Sequence, residues 1–296
     1  MDAKPFEWMV QYTSQQEWGL HRGIWLWLAL VLGGLGSGLY CVALYHGHHR
    51  AMAVGWFIAV VLKGLCHLSY LGKPLRAWRA FTRPQSSWVS RGLISVSGFG
   101  FFAGLQMLPI YFPNLPWSGQ SLLLNVMVIS FALFLMIYPG FLLSYVHAIP
   151  LWNNALIPVI FVLYAFLGGL GLFLPMGLAG GLDHSGVVAV EKGIRLFLLV
   201  SSGVLAVYLI SVGYTNPAGR KSLFSLLTGS FALTFYGGVV FLGILIPLFS
   251  SLFLYFSNSL ILPLLYFAML CELIGSFLLR LCLLKAGIYM PLVSVT

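Results

Sequence analysis

WGLHRGIWLWLALVLGGLGSGLY, residues 18–40, is the stretch on which the fold turns. Its segment Gly33-Gly34-Leu35-Gly36-Ser37-Gly38 resembles a nucleotide-binding loop at first sight. A loop of that kind needs a strand before it and a helix after it. Here the glycines lie inside a continuous apolar run that no strand precedes. Gly34 and Gly38 instead make a G-x-x-x-G, whose small surfaces let helices approach closely. The run reads as a membrane-spanning helix.

The same pattern recurs along the chain. A helix needs roughly 20 apolar residues to cross the hydrocarbon core, and runs of that kind lie at about 20–46, 51–71, 90–111, 120–147, 153–176, 188–213, 222–249 and 257–285. The runs are continuously apolar rather than alternating, which argues against strands. The expected fold class is all-α, a polytopic integral membrane bundle of about eight transmembrane helices. It forms a single membrane domain over residues 1–296, with one bundle within about 18–150 and a second at about 151–290. Composition agrees: 60% of the 296 residues are hydrophobic and only 7% are charged. A soluble domain carries roughly 25% charged residues, so a soluble enzyme is excluded. Aromatic content of 16%, with nine Trp and fourteen Tyr, suits two interfacial belts.

The net charge of +9 sits in short loops between apolar runs, where it orients helices, and no nucleic-acid motif accompanies it. The longest polar stretch is GKPLRAWRAFTRPQSSWVSR at 72–91. An even number of spans puts both termini on one side, with Lys4, Arg22, Lys73, Arg76, Arg79, Arg83, Arg91, Arg220, Lys221, Arg280 and Lys285. Arg50, Lys192 and Arg195 fall on the other. The positive-inside rule therefore places both termini in the cytoplasm. Cys41, Cys66, Cys271 and Cys282 are scattered and form no C-x-x-C, so neither a zinc site nor an iron–sulfur cluster is expected on this chain. The first 20 residues carry Asp2, Glu7 and Glu17 without a positive-then-apolar pattern, and no cleavable signal peptide is expected.

Charges inside the spans carry the candidate chemistry. Lys63 lies within the second span, four residues before His67, so both share one helix face. An ionisable group at that depth costs a few kcal/mol and marks a buried polar site or water path; snorkelling of Lys63 to the headgroups is the bland alternative. His21 begins the first span, His67 lies near the end of the second and Tyr138 in the later half of the fourth. All three fall in the membrane half next to the basic 72–91 loop. A pocket there would offer donors to the two carbonyls of a quinone and a route for its protons. Each of these side chains taken alone also suits the interface.

Glu272 lies deep in the last span, eight residues before Arg280, and Glu191 and Arg195 are an i,i+4 pair opening the sixth. Two readings stand open for these four, a proton path or structural pairing between helices. His46, His48 and His49 read as solvated loop residues. A haem b would need two axial histidines at matching depth, for which His21, His67 and His147 could supply a pair.

Four stretches, in order, resemble the polysulfide reductase membrane-subunit family, the NrfD/PsrC group, which includes relatives of the dimethyl sulfoxide reductase anchor. Residues 18–40 resemble its first span. HLSYLGKPLRAWRAF at 67–81 with SWVSRG at 87–92 resembles the signature after the second. YPGFLLSYVHAIPLWNNALIPVIF at 138–161 is similar to the junction of the fourth and fifth, and CELIGSFLLR with KAG at 271–287 to the last. The resemblance implies an eight-helix subunit in the cytoplasmic (inner) membrane of a prokaryote, without haem or an iron–sulfur cluster of its own. It would exchange electrons between menaquinone or another quinone and a docked four-cluster iron–sulfur subunit, which serves a catalytic, often molybdopterin, subunit. The family's quinone-site positions match His21, His67 and Tyr138; Lys63 is added from its charge and spacing. Arg76, Arg79 and Arg83 would dock the partner, or set topology, or both. In many family members that face points outward, against the charge count. The rival from another class is a secondary transporter, which would show matching interrupted helices in two halves, and no internal repeat is visible. A haem-bearing anchor and a purely structural anchor are further rivals; the last leaves Lys63 and His67 unexplained.

Overall fold

Eight helices are long and apolar enough to cross a membrane in the computed structural model, which describes residues 7–19, 21–119, 121–257 and 261–293. They are α1 (Gly23–Tyr45), α2 (His49–Tyr70), α3 (Trp88–Tyr111), α4 (Leu122–Ser144), α5 (Leu156–Ala179), α6 (His184–Gly213), α7 (Thr234–Ser257) and α8 (Leu262–Lys285). The chain is a polytopic helical membrane protein, as its apolar runs predict. Asp2, Lys4 and the expected span starts at 20 and 120 lie outside the described residues.

The seventh span departs most from expectation. The run expected at about 222–249 divides into a short helix, Pro217–Leu227, and α7, which runs to Ser257. Thr228-Gly229-Ser230 makes the break: Gly229 and Phe231 donate backbone hydrogen bonds back to Phe224 and Ser225. These small residues are tolerated in membrane helices and in turns alike, so the apolar run masked the corner. The charge count also needs correction. Arg280, counted with the loops, is buried within α8, and Arg195 lies inside α6 bonded to α7, so neither reports on topology.

Helix α1 sits at the centre: 78% of its apolar window is buried, against 28% for α3 and α6. Its glycines serve two neighbours. A Cβ on Gly38 would collide with the Ala165 carbonyl of α5, and one on Gly36 would stand 2.5 Å from the Ala59 nitrogen of α2. The expected close approach at the G-x-x-x-G is thus made, with α5 as partner. The apolar core forms two clusters that share α1 and α5. One centres on Trp152, Tyr208 and Leu283, the other on Tyr40, Phe99 and Leu135.

The N-terminal segment is tied across the ends of the helices. β1 (Thr13–Ser14) pairs antiparallel with β2 (Ile288–Tyr289). The buried Gln15 amide donates to the Trp18 and Leu284 carbonyls, and the Trp18 ring packs tilted, 5.2 Å between centroids, on Trp152, which donates to the Leu283 carbonyl. This anchoring fixes the approach of the polypeptide to α1, and with it the place of His21.

Candidate functional site

The site is built on an irregularity in α2. Residues Phe57–Leu62 wind as a wide π-helix, and Lys63 opens the α-helical turn that follows. Such wide turns recur at functional sites, because they break the regular register of side chains. Lys63 is 2% exposed, and its Nζ lies 3.5 Å from His67 Nε2, the one-turn contact that their spacing predicts. Room for its stem comes from Gly33 of α1, where a Cβ would stand 2.7 Å from Lys63 Cε. The ammonium lies 5.3 Å from the centre of the Tyr138 ring of α4, within the reach of a cation–π contact. Tyr138 is buried in turn against Gly92 of α3, where any Cβ would collide with the ring. Lys63 therefore does not snorkel; it points into the bundle.

Lysine can only donate, so His67 Nε2 is the acceptor of that contact and a neutral ring carries its hydrogen on Nδ1. That Nδ1 is buried and has no hydrogen-bond partner among the described residues. An orphaned buried donor is uncommon and asks for an explanation. A ligand oxygen would satisfy it.

His21 is not part of this contact set. It is exposed and lines a separate pocket of about 440 Å³ with Glu17, Arg22 and Tyr70, the last one turn beyond His67 on α2. Its φ of +47° is a left-handed conformation that side chains rarely adopt. The structure thus brings Lys63, His67 and Tyr138 together and leaves His21 at the adjacent rim.

A family model described as "Polysulphide reductase, NrfD" matches residues 10–291. The chain belongs to that family. It is 29% identical over 158 residues to a "Protein NrfD homolog" of Haemophilus influenzae, covering 51% of this chain and 48% of that protein. It is 28% identical over 167 residues to a component of the anaerobic dimethyl sulfoxide reductase of the same organism, covering 50% of this chain and 58% of the other protein. The chain spans about half the length of the curated relatives it matches.

The other charged candidates of this NrfD-family protein fall into three places. Glu272 and Arg280 are both buried in α8, yet both Glu272 carboxylate oxygens are unpartnered among the described residues. Arg280 donates instead to the Ser276 hydroxyl at 2.7 Å and lies 5.3 Å from the Phe161 ring and 6.0 Å from the Tyr164 ring. The Tyr164 hydroxyl is likewise buried and unpartnered among the described residues. Glu272, Tyr164 and Arg280 thus line the α5–α8 contact. Sequence reasoning misses Tyr164 and Ser276, because a tyrosine and a serine in apolar runs carry no distinguishing signal.

Glu191 and Arg195 of α6 form a closed set with α7. Arg195 lies 3.9 Å from Glu191 and donates to the Ser251 hydroxyl at 3.2 Å, and that hydroxyl donates to Glu191 at 3.1 Å. The Tyr255 ring covers the guanidinium at 4.6 Å. Glu191, Arg195 and Ser251 are thus partnered with one another, and the arrangement ties α6 to α7.

Arg76, Arg79 and Arg83 are exposed on the loop between α2 and α3, together with Leu75, Trp78 and Phe81. Arg91 pins this loop to α3 by donating to the Pro84 and Gln85 carbonyls, both at 2.8 Å, while stacking on Trp88. The result is a presented face of mixed cationic and aromatic character, placed over the end of α2 that carries His67.

Proposed function

We propose that the protein is the quinone-reactive membrane subunit of a multi-subunit respiratory oxidoreductase. It exchanges electrons between menaquinone, or another quinone, and a docked four-cluster iron–sulfur subunit that serves a molybdopterin-type catalytic subunit. The observation that carries this reading is the buried His67 Nδ1, without a hydrogen-bond partner among the described residues, held beside the Lys63 ammonium. The family and the dimethyl sulfoxide reductase relative support it.

Interconversion of quinone and quinol moves two electrons and two protons. In a bilayer-depth site each proton needs a protein group at the ring oxygen and a way to solvent. His67 Nδ1–H donates to one ring oxygen and exchanges the proton there. The Lys63 charge favours negative charge on that oxygen as electrons arrive, an effect strengthened where water is excluded. Tyr138 holds the ammonium from below, and His21 at the rim passes protons to and from solvent. The exposed cations Arg76, Arg79 and Arg83 seat the iron–sulfur partner on the same side, within electron-transfer reach of the quinone. Electrons then pass to or from the partner, and the terminal substrate is chosen by the catalytic subunit.

The test is purification of the tagged protein in mild detergent, with mass spectrometry of co-purifying proteins and extracted lipophilic molecules. An iron–sulfur protein, a larger catalytic subunit and bound quinone are expected. A lone protein with neither partner nor quinone, under conditions that preserve other respiratory complexes, overturns the reading in favour of a secondary transporter.

A further inference from the structure

We propose that a second binding site lies at the membrane face opposite Lys63 and His67, and that it takes a lipid-soluble molecule with a carbonyl oxygen at its polar end. A cavity of about 890 Å³ opens there, between the C-terminal ends of α1 and α3 and the N-terminal ends of α2 and α4. Successive helices run in opposite directions, so these ends lie across the bilayer from the start of α1 and the close of α2 that carry His21 and His67.

Its walls are largely apolar, with Met52, Ile129, Leu133 and Phe166 among them. Ile129 and Leu133 are also exposed on the outer side of α4, which gives the cavity a lateral mouth toward lipid. Two amides interrupt the apolar wall, Gln106 of α3, 2% exposed, and Asn125 of α4, with His49 and Ser118 also on the lining. The two amides belong to a directed relay. The Tyr40 hydroxyl of α1 donates to the Gln106 side-chain carbonyl at 2.8 Å, and the Gln106 amide nitrogen donates to the Asn125 side-chain carbonyl. Each amide carbonyl accepts one bond in the relay, the Tyr40 hydroxyl also lies 3.3 Å from the Ala103 carbonyl, and the relay ends on the Asn125 amide nitrogen, a donor, at the cavity wall.

Polar side chains in a membrane core are costly and are kept where they bind something. A relay that ends in a donor at the cavity wall favours a ligand with an acceptor there. Volume and apolar lining suit a ligand whose body is hydrocarbon. A carbonyl on a hydrocarbon body describes two molecules available in the bilayer, the acyl ester of a phospholipid and a quinone, and the relay recognises the chemistry they share.

The experiment uses the intact complex in phosphatidylcholine nanodiscs, photolabelled in parallel with a diazirine-bearing phosphatidylcholine and an azido-quinone, with labelled peptides mapped by mass spectrometry. At least one probe is expected to label the α3 and α4 peptides around Gln106 and Asn125 about fivefold above the exposed outer face of α6 at Leu199. Asn125→Leu is expected to remove that excess. Ile129→Trp, which fills the mouth without touching the relay, is expected to do the same and covers the case in which Asn125→Leu fails to fold. Labelling by the phosphatidylcholine probe alone identifies a lipid seat, and labelling by the azido-quinone alone identifies a second quinone seat. In either case the label persists in His67→Ala, which separates this site from the one at the opposite face. Labelling no greater than at Leu199, or unchanged by Ile129→Trp, overturns the proposal.

Discussion

Lys63 and Arg280 are buried against successive glycines of α1, one on each of two helix faces. A Cβ on Gly33 would stand 2.7 Å from Lys63 Cε, whereas one on Gly34 would stand 3.6 Å from Arg280 Nη2 and 3.3 Å from Ala165 Cβ. The central helix thus makes room for two cations that reach it from α2 and α8. The two clearances are unequal, and that inequality is testable. Gly33→Ala must push the Lys63 stem aside, and overpacking of this kind costs about 1–3 kcal/mol. The expected result is about tenfold weaker binding of a quinol-analogue inhibitor, equivalent to about 1.4 kcal/mol. Gly34→Ala is expected to leave inhibitor binding within about twofold. Equal effects of the two variants in a titration of the purified complex would place the inhibitor away from Lys63.

His67→Ala removes the unpartnered Nδ1 donor and the Lys63 contact together, and Lys63→Met removes the charge while keeping the volume of the stem. Loss of a positioned acid–base group typically costs about 10²–10⁴ in rate. His67→Ala is expected to lower quinol-linked turnover by about a hundredfold, with complex assembly unchanged. Lys63→Met is expected to lower it by at least about tenfold, since its charge acts on the same oxygen. Steady-state assays with a soluble quinol and an artificial acceptor measure both. Full turnover in His67→Ala removes that residue from the proton step.

Much of this was legible in the residues. Continuous apolar runs gave the spans, and the four-residue interval between Lys63 and His67 gave their contact, because both signals are periodic and local. The corner at Thr228-Gly229-Ser230 was not, since the same residues serve helix and turn in a membrane. The π-wound segments at Phe57–Leu62 and Thr234–Leu245 carry no compositional signal at all. The depth of Arg280 depends on Gly34 of α1 and the Phe161 and Tyr164 rings of α5 closing around it, which one sequence cannot show. Gln106 and Asn125 did offer a signal, as two amides in apolar runs, and it becomes interpretable only once α3 and α4 are seen side by side.

Outside the spans, Asp183 caps α6 by accepting from the Gly186 N–H at 3.0 Å and from the Ser185 hydroxyl. The Ser185 hydroxyl first, and then the Gly186 N–H, hold its carboxyl below the usual carboxylate range. A depressed folded value means that the cap's contribution is present above the unfolded value and is lost as the pH falls through the folded one. Thermal melts of the complex are expected to show an acid-side loss that Asp183→Asn lacks, because asparagine caps without titrating. At neutral pH the two proteins are expected to melt alike. An identical acid-side slope in the variant would assign that loss to other groups.

Glu272 makes no side-chain hydrogen bond among the described residues. A buried carboxyl with no hydrogen-bond partner among the described residues adds little to the fold, so an amide of the same shape replaces it at small cost. Glu272→Gln is therefore expected to melt within a few degrees of the parent complex, where the usual core substitution costs more. If Glu272 belongs to a proton path, the same variant in proteoliposomes keeps quinol-linked electron transfer within about twofold while losing proton uptake, read by a pH-sensitive dye. Arg280 keeps its own bond to Ser276 in the variant, so assembly is expected to persist. A marked loss of thermal stability in Glu272→Gln would show instead that the carboxylate holds α8 to α5, and would return this residue to the structural reading.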